Sequence, residues 1–209
     1  MKQLFVLPET RTVVFESILL ISQNKKTELR ITYFNNSPHC FDYYVFKGWF
    51  QCTLRKLGIE KYRNGYQSKS LMAKMTPLKL RKFLTSLKAM FNIEIQYLAL
   101  SNYIPEVIHA CLSFVDGVVI PNVYIEIYNI SYELTSYHQI VKQVKPNHVQ
   151  TNFAILTKDA LCFILQLAEA VESIRICCDE ICTSLPNICL IIQEIMSRKC
   201  KNLEIFDSR

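Results

Sequence analysis

The chain has 209 residues, half of them hydrophobic, and a formal net charge of +6, which is enough apolar material for one sizeable core or two small lobes. Only four glycines occur, Gly48, Gly58, Gly65 and Gly117. None sits in a run that would let the backbone wrap a phosphate, so nucleotide-dependent chemistry has little support.

The leading apolar run, Leu4 to Leu7, stops at Pro8 and is shorter than the roughly 7–15 residues of a secretory core. No stretch reaches the roughly 18 uncharged apolar residues of a membrane span. The expectation is therefore an intracellular protein, cytoplasmic or nuclear, without membrane contact. From the N-terminus, Thr12–Ile21 and Glu28–Phe34 are rich in β-branched and aromatic residues and read as strands, with polar Gln23–Lys26 as a hairpin turn. Residues Phe41–Leu57 carry Tyr43, Tyr44, Phe46, Trp49 and Phe50 in mixed periodicity and are expected to add further strands. Residues 1–57 thus form a β-rich N-terminal portion. Residues 58–75, with Gly58, Gly65 and several lysines, read as a basic loop or linker.

From Thr76 to the end, residues 76–209, the pattern becomes a regular alternation. Thr76-Pro77 is a helix start, and Leu80, Phe83, Leu84, Leu87, Met90 and Phe91 form one apolar stripe. A strand follows at Ile95–Leu100. Pro105 opens a helix carrying Val107, Ile108, Cys111, Leu112 and Val115, with Gly117 just past its end, and Val123–Ile130 is its strand. Ser136 is expected to cap a helix with Ile140, Val141 and Val144, ended by Pro146; Val149–Leu156 is the next strand. Thr157 caps a helix with Leu161, Ile164, Leu165 and Ala168, leading to Ile174–Cys177. A last helix over Pro186–Lys199 leads to Leu203–Phe206.

Aligning Leu98, Ile125, Phe153, Ile174 and Leu203 as equivalents gives spacings of 27, 28, 21 and 29 residues. Leucine-rich repeats have a period of about 20–29 residues, with one strand and one helix per unit, because a single unit cannot bury its own apolar stripe. The alternation within each strand leaves one sheet face solvated, unlike the two-sided burial of an ordinary parallel sheet. The expected fold is α/β: an irregular leucine-rich-repeat-like helix–strand stack with a β-rich N-terminal portion.

The segment LRKFLTSLKAMFNIEIQYLALSN, then EVIHACLSFVDG and NVYIEIYNI, resembles the F-box-associated domains of the large nematode F-box protein families. LTKDALCFILQLAEAVESIRI and CKNLEIFDS continue that rhythm, so the resemblance spans roughly residues 76–209. It implies a substrate-recognition module for ubiquitin ligation, with a protein target and Skp1–cullin ligase components as partners. An F-box itself is not recognisable, since residues 1–50 read as strands and not as its helices.

No catalytic constellation emerges. His39, His109, His138 and His148 lack partners at ligand or triad spacing, and no H-E-x-x-H or G-x-S-x-G occurs. The nine cysteines include no C-x-x-C pair, and Cys111, Cys162, Cys189 and Cys200 fall at apolar helical positions, so they read as small core residues and no metal or cofactor is expected. Binding is the function class that remains. For a protein target, the solvent-facing strand residues Gln96, Glu126, Arg175 and Glu204 are the expected contacts. The alternative is RNA or another nucleic acid. Ten basic residues and one acid, Glu60, lie between Arg55 and Lys88. There Arg55, Lys56, Lys61, Arg63, Lys69 and Lys74 would meet phosphates while Tyr62 and Tyr66 stack on bases.

Overall fold

Thr12–Gln23 (β1) and Lys26–Thr32 (β2) pair antiparallel, with Gln23 opposite Lys26, as the β-branched runs and the polar turn require. The computed structural model describes residues 12–23, 26–33, 40–59, 61–64, 69–101, 105–127, 134–181, 193–195, 197–198 and 200–207. Next comes α1 (Cys40–Lys56), where strands are expected from the aromatic content. The spacing decides otherwise: Phe46, Phe50 and Leu54 recur every four residues and are completely buried on one helix face. Gly58, in the left-handed region at φ 65°, closes α1. Its N–H donates to the Arg55 carbonyl at 2.9 Å and that of Ile59 to the Leu54 carbonyl at 2.9 Å, the bond pair that satisfies a helix C-terminus.

The supposed linker is part of the sheet. Tyr62–Asn64 (β3) and Ser70–Met75 (β4) are strands. β4 pairs with both β2 and β3, and it buries Leu71, Ala73 and Met75. Lys74 and Arg63, which suggested a loop, are outward residues of a period-two pattern, while Lys61 and Lys69 lie just before β3 and β4.

The remaining elements follow the expected alternation: α2 (Pro77–Met90), β5 (Asn92–Ser101), α3 (Pro105–Val115), β6 (Asn122–Ile127), α4 (Leu134–Val144), β7 (His148–Leu156), α5 (Lys158–Ala168), β8 (Ser173–Ile181) and β9 (Asn202–Asp207). Thr76 and Thr157 cap α2 and α5 by accepting from the Lys79 and Ala160 N–H groups. Ser136 lies inside α4, two residues past its start, and is not its cap. The strand after α3 is described only to Ile127. Of the last expected helix, only residues 193–195 and 197–198 lie within the described residues, with Ile195 buried.

The nine described strands join one sheet in the order β3-β4-β2-β1-β5-β6-β7-β8-β9. From β1 through β9 the neighbours run parallel. In the β5–β9 half each strand lies beside the one before it in sequence, and α2 packs on α3, α3 on α4 and α4 on α5. A doubly wound sheet would reverse its strand order at a switch point and cover both faces. Here the units stack in one direction, and the inward row of every strand joins the helices in one hydrophobic cluster.

The register corrects the repeat. Leu98, Val123, Val149, Ile174 and Leu203 are the true equivalents, so the period is 25, 26, 25 and 29 residues. Ile125 and Phe153 lie two and four residues further along the same inward row. The repeat is more regular than the apolar skeleton alone suggests.

One irregularity shapes the β1–β5 pair. Inward residues are Val13 and Phe15, then Ile18 and Leu20, in β1; they are Ile93 and Ile95, then Leu98 and Leu100, in β5. Each strand therefore turns two successive residues outward, Glu16-Ser17 and Gln96-Tyr97. The breaks are matched: Phe15 faces Ile95 and Ser17 faces Tyr97, so the pairing offset never changes.

Candidate functional site

The parallel strands lay out their outward residues in three rows across the sheet. Tyr97, Asn122, His148, Ser173 and Asn202 form the first, and Ala99, Tyr124, Gln150, Arg175 and Glu204 the second. The third is Ser101, Glu126, Asn152, Cys177 and Phe206. None of these side chains belongs to the hydrophobic cluster, and the described helices pack on the opposite face. Strict alternation from Val123 to Ile127 and from His148 to Phe153 produces this division.

Hydrogen bonds tie these residues together within and between the rows. Ser101 Oγ donates to Glu126 Oε2 at 2.6 Å, and the Tyr124 hydroxyl donates to Glu126 Oε1 at 3.4 Å. Asn152 Nδ2 donates to the Tyr124 hydroxyl at 3.5 Å. His148 Nδ1 and Ser173 Oγ lie 2.9 Å apart. Arg175 Nε donates to Glu204 Oε2 at 2.8 Å, and its guanidinium lies 4.7 Å from the centre of the Phe206 ring. Such ties restrict rotamers, so the rows present a pre-ordered surface.

The surroundings favour the neutral forms of two phenols and one imidazole on this face. Burial raises the phenol of Tyr124 above its ordinary value, with the Asn152 amide opposing and Glu126 adding to the rise. Burial also raises that of Tyr97; Arg175 opposes the rise and Cys177 adds to it, acting across β6 and β7. Burial lowers the His148 imidazole, helped by Arg175 and opposed by Glu204. The face therefore offers phenols and an imidazole as neutral hydrogen-bonding groups, beside the Arg175–Glu204 ion pair.

Of the expected protein contacts, Glu126, Arg175 and Glu204 do share this face. Gln96 is exposed but sits at the β5 break, before the first row; its carbonyl accepts from Asn122 Nδ2 at 3.0 Å. Those four are the charged or amide positions that strand alternation turns outward, and Tyr97, Tyr124, His148, Gln150, Asn152 and Phe206 are not among them. The signal for them was present, since Tyr124 and Glu126 are two apart in the alternating stretch NVYIEI.

The basic run divides among several elements. Arg55 and Lys56 lie in the last turn of α1 and are exposed. Lys61, Arg63 and Lys74 border a groove of about 680 Å3 at the β3 end of the sheet, together with Lys26, Arg30 and Lys79. Lys69 is half-buried just before β4. Tyr62 is opposite Ala73, on the inward side, and packs partly buried against the core, so it is not the open stacking platform expected of it. Tyr66 lies outside the described residues.

Among the cysteines, Cys111 and Cys200 are buried as expected, whereas Cys162 is on the exposed side of α5. Cys189 falls outside the described residues. Among the described residues, no three His, Cys, Asp or Glu side chains gather into a metal-binding group. No described helix is long and apolar enough to cross a membrane. In comparison with known proteins, no family model, no curated protein and no solved structure matches the chain.

Proposed function

We propose that the chain is a target-recognition module that binds a protein ligand on the outward rows of β5–β9, without chemistry of its own. The observation that carries this reading is the second row with its flanks: Tyr97, Tyr124, Gln150, Arg175, Glu204 and Phe206 on a face the described helices leave bare. Tyrosine and arginine dominate interface hot spots because they combine large contact area with polar tips, and here cross-strand bonds hold Tyr124 and Arg175 in place before any partner arrives. The resemblance to F-box-associated domains adds the biological role: selecting a substrate for a ubiquitin ligase, with Skp1–cullin components as further partners.

The test is affinity capture from nuclease-treated lysate with the wild-type chain and with a Tyr124→Ala/Arg175→Ala double variant, quantified by mass spectrometry. A discrete protein held by the wild type and reduced about tenfold or more by the variant supports the reading, since hot-spot truncation typically costs more than the 1.4 kcal/mol that tenfold represents. Co-capture of a Skp1-type adaptor would support the ligase role. Equal capture by both chains refutes the assignment of the face.

A further inference from the structure

At the opposite end of the sheet the groove beside β3 gathers cations from separate pieces of chain. Lys26 and Arg30 come from β2, Lys61 from just before β3, Arg63 from β3, Lys74 from β4 and Lys79 from α2. Against these six, the described lining holds a single carboxylate, Glu28, which pairs with Arg30 at 3.2 Å and Lys74 at 3.5 Å. Lys79 Nζ is held by the Gly58 carbonyl at 3.1 Å. Lysines that merely protect a sheet edge need only project singly along it. Cations brought by five segments to one hollow repel one another, and an anionic occupant relieves that repulsion.

The groove also exposes main chain. β3 pairs with β4 only from Leu71 to Ala73. Among the described residues, therefore, no strand lies alongside Lys74–Met75 on that side, and none pairs with the outer edge of Tyr62–Asn64. An extended peptide can satisfy such backbone groups by adding a strand, which a polynucleotide cannot do. Stacking platforms for bases are poor here, with Tyr62 turned towards the core. Met72, half-buried at the groove, supplies adaptable apolar lining instead. A hollow of about 680 Å3 suits a few residues of peptide.

We propose that this groove docks an acidic, extended segment of a protein partner, its carboxylates meeting Lys61, Arg63 and Lys74 while its backbone continues the sheet. The proposal stands apart from the reading of the Tyr124 row, because four strands separate β3 from β6. The experiment is fluorescence anisotropy on the full chain with a labelled glutamate-rich peptide. A glutamine-rich peptide of equal length, the glutamate peptide N-methylated at alternate residues, and oligouridylate serve for comparison.

The expected result is binding of the glutamate peptide, weakened by salt. It is lost with glutamine and strongly reduced by N-methylation, which keeps the charge but removes main-chain donors. Lys61→Glu/Arg63→Glu, two exposed positions, should weaken it by about tenfold or more; Lys142→Glu, exposed on α4, should not. Tighter binding of oligouridylate would reassign the groove to nucleic acid. Absence of glutamate-peptide binding at low salt, or binding indifferent to the double charge reversal, would overturn the proposal.

Discussion

Thr151 offers the sharpest test of the register on which the outward rows of β5–β9 depend. It sits on the inward row of β7 between Ile125 and Ile176, completely buried, and its hydroxyl has no hydrogen-bond partner among the described residues. A buried hydroxyl without a partner costs about 1–3 kcal/mol, and valine has the same shape with a methyl in its place. Thr151→Val should therefore stabilise the chain by about 1–2 kcal/mol, raising Tm by roughly 2–8 °C for a protein of this size. Thr151→Ser keeps the hydroxyl but removes a packed methyl, and should lose about 1 kcal/mol. Thermal unfolding by circular dichroism reads both, and urea unfolding with an unchanged m-value confirms that the folded state is the one affected. A valine variant no more stable than the parent would refute the reasoning. Either the hydroxyl is satisfied, or β7 is shifted by one residue with Gln150 and Asn152 facing inward, and the outward rows would then be wrong throughout.

Two further outcomes follow from the packing and the electrostatics. Phe46 is fully buried, with ring centres of Phe15, Tyr33, Trp49, Phe91 and Phe50 at 5.1, 5.4, 5.5, 5.6 and 6.1 Å; Phe46→Ala should cost about 3–5 kcal/mol. The emission of Trp49, the chain's single tryptophan, reports the loss directly, and a cost below about 1 kcal/mol would mean α1 is not seated on the sheet. His148 is held below its ordinary 6.5 by burial and by Arg175, so the unfolded chain takes up its proton first as pH falls. The associated stability is complete above the unfolded value and is lost as pH drops through the folded one. Urea midpoints across this range should show a slope that His148→Gln flattens, and a His148 pKa at or above 6.5 by NMR titration would contradict it.

The helix–strand stack was legible because each unit states its period twice, once at helical spacing and once at strand spacing. Thr76, Thr157 and Gly117 mark boundaries by chemistry that no tertiary contact has to supply, and Gly117 does adopt the left-handed conformation at φ 71°. The register was not legible. Val123, Ile125 and Ile127 are all apolar and all inward, so a slip of two residues leaves the pattern intact, and only pairing fixes which one faces Leu98. α1 was hidden by its aromatics, whose strand preference reflects packing on a pleated surface and not a fixed property of the backbone. In α1 the same rings pack as a helix face, with Tyr44 and Val45 left exposed on the other side, which blurs the helical period. Lysine and glycine concealed β3 and β4, although Leu71, Ala73 and Met75 already alternate. Alternation found the face through its charged residues Glu126, Arg175 and Glu204 but missed its tyrosines, because a half-buried phenol looks apolar in a one-dimensional pattern.

The matched breaks at Glu16-Ser17 and Gln96-Tyr97 tie together two segments that lie 80 positions apart, the separation at which Asn92 Nδ2 also reaches Thr12 Oγ1 at 3.1 Å. If one break were lost while the other stayed, half of one strand would point its apolar row at solvent while its neighbour pointed inward. Neither strand can drift alone. Over descent, the two dipeptides form a single inherited character written in two places, so a variant altered in one should survive only where the other has changed in step.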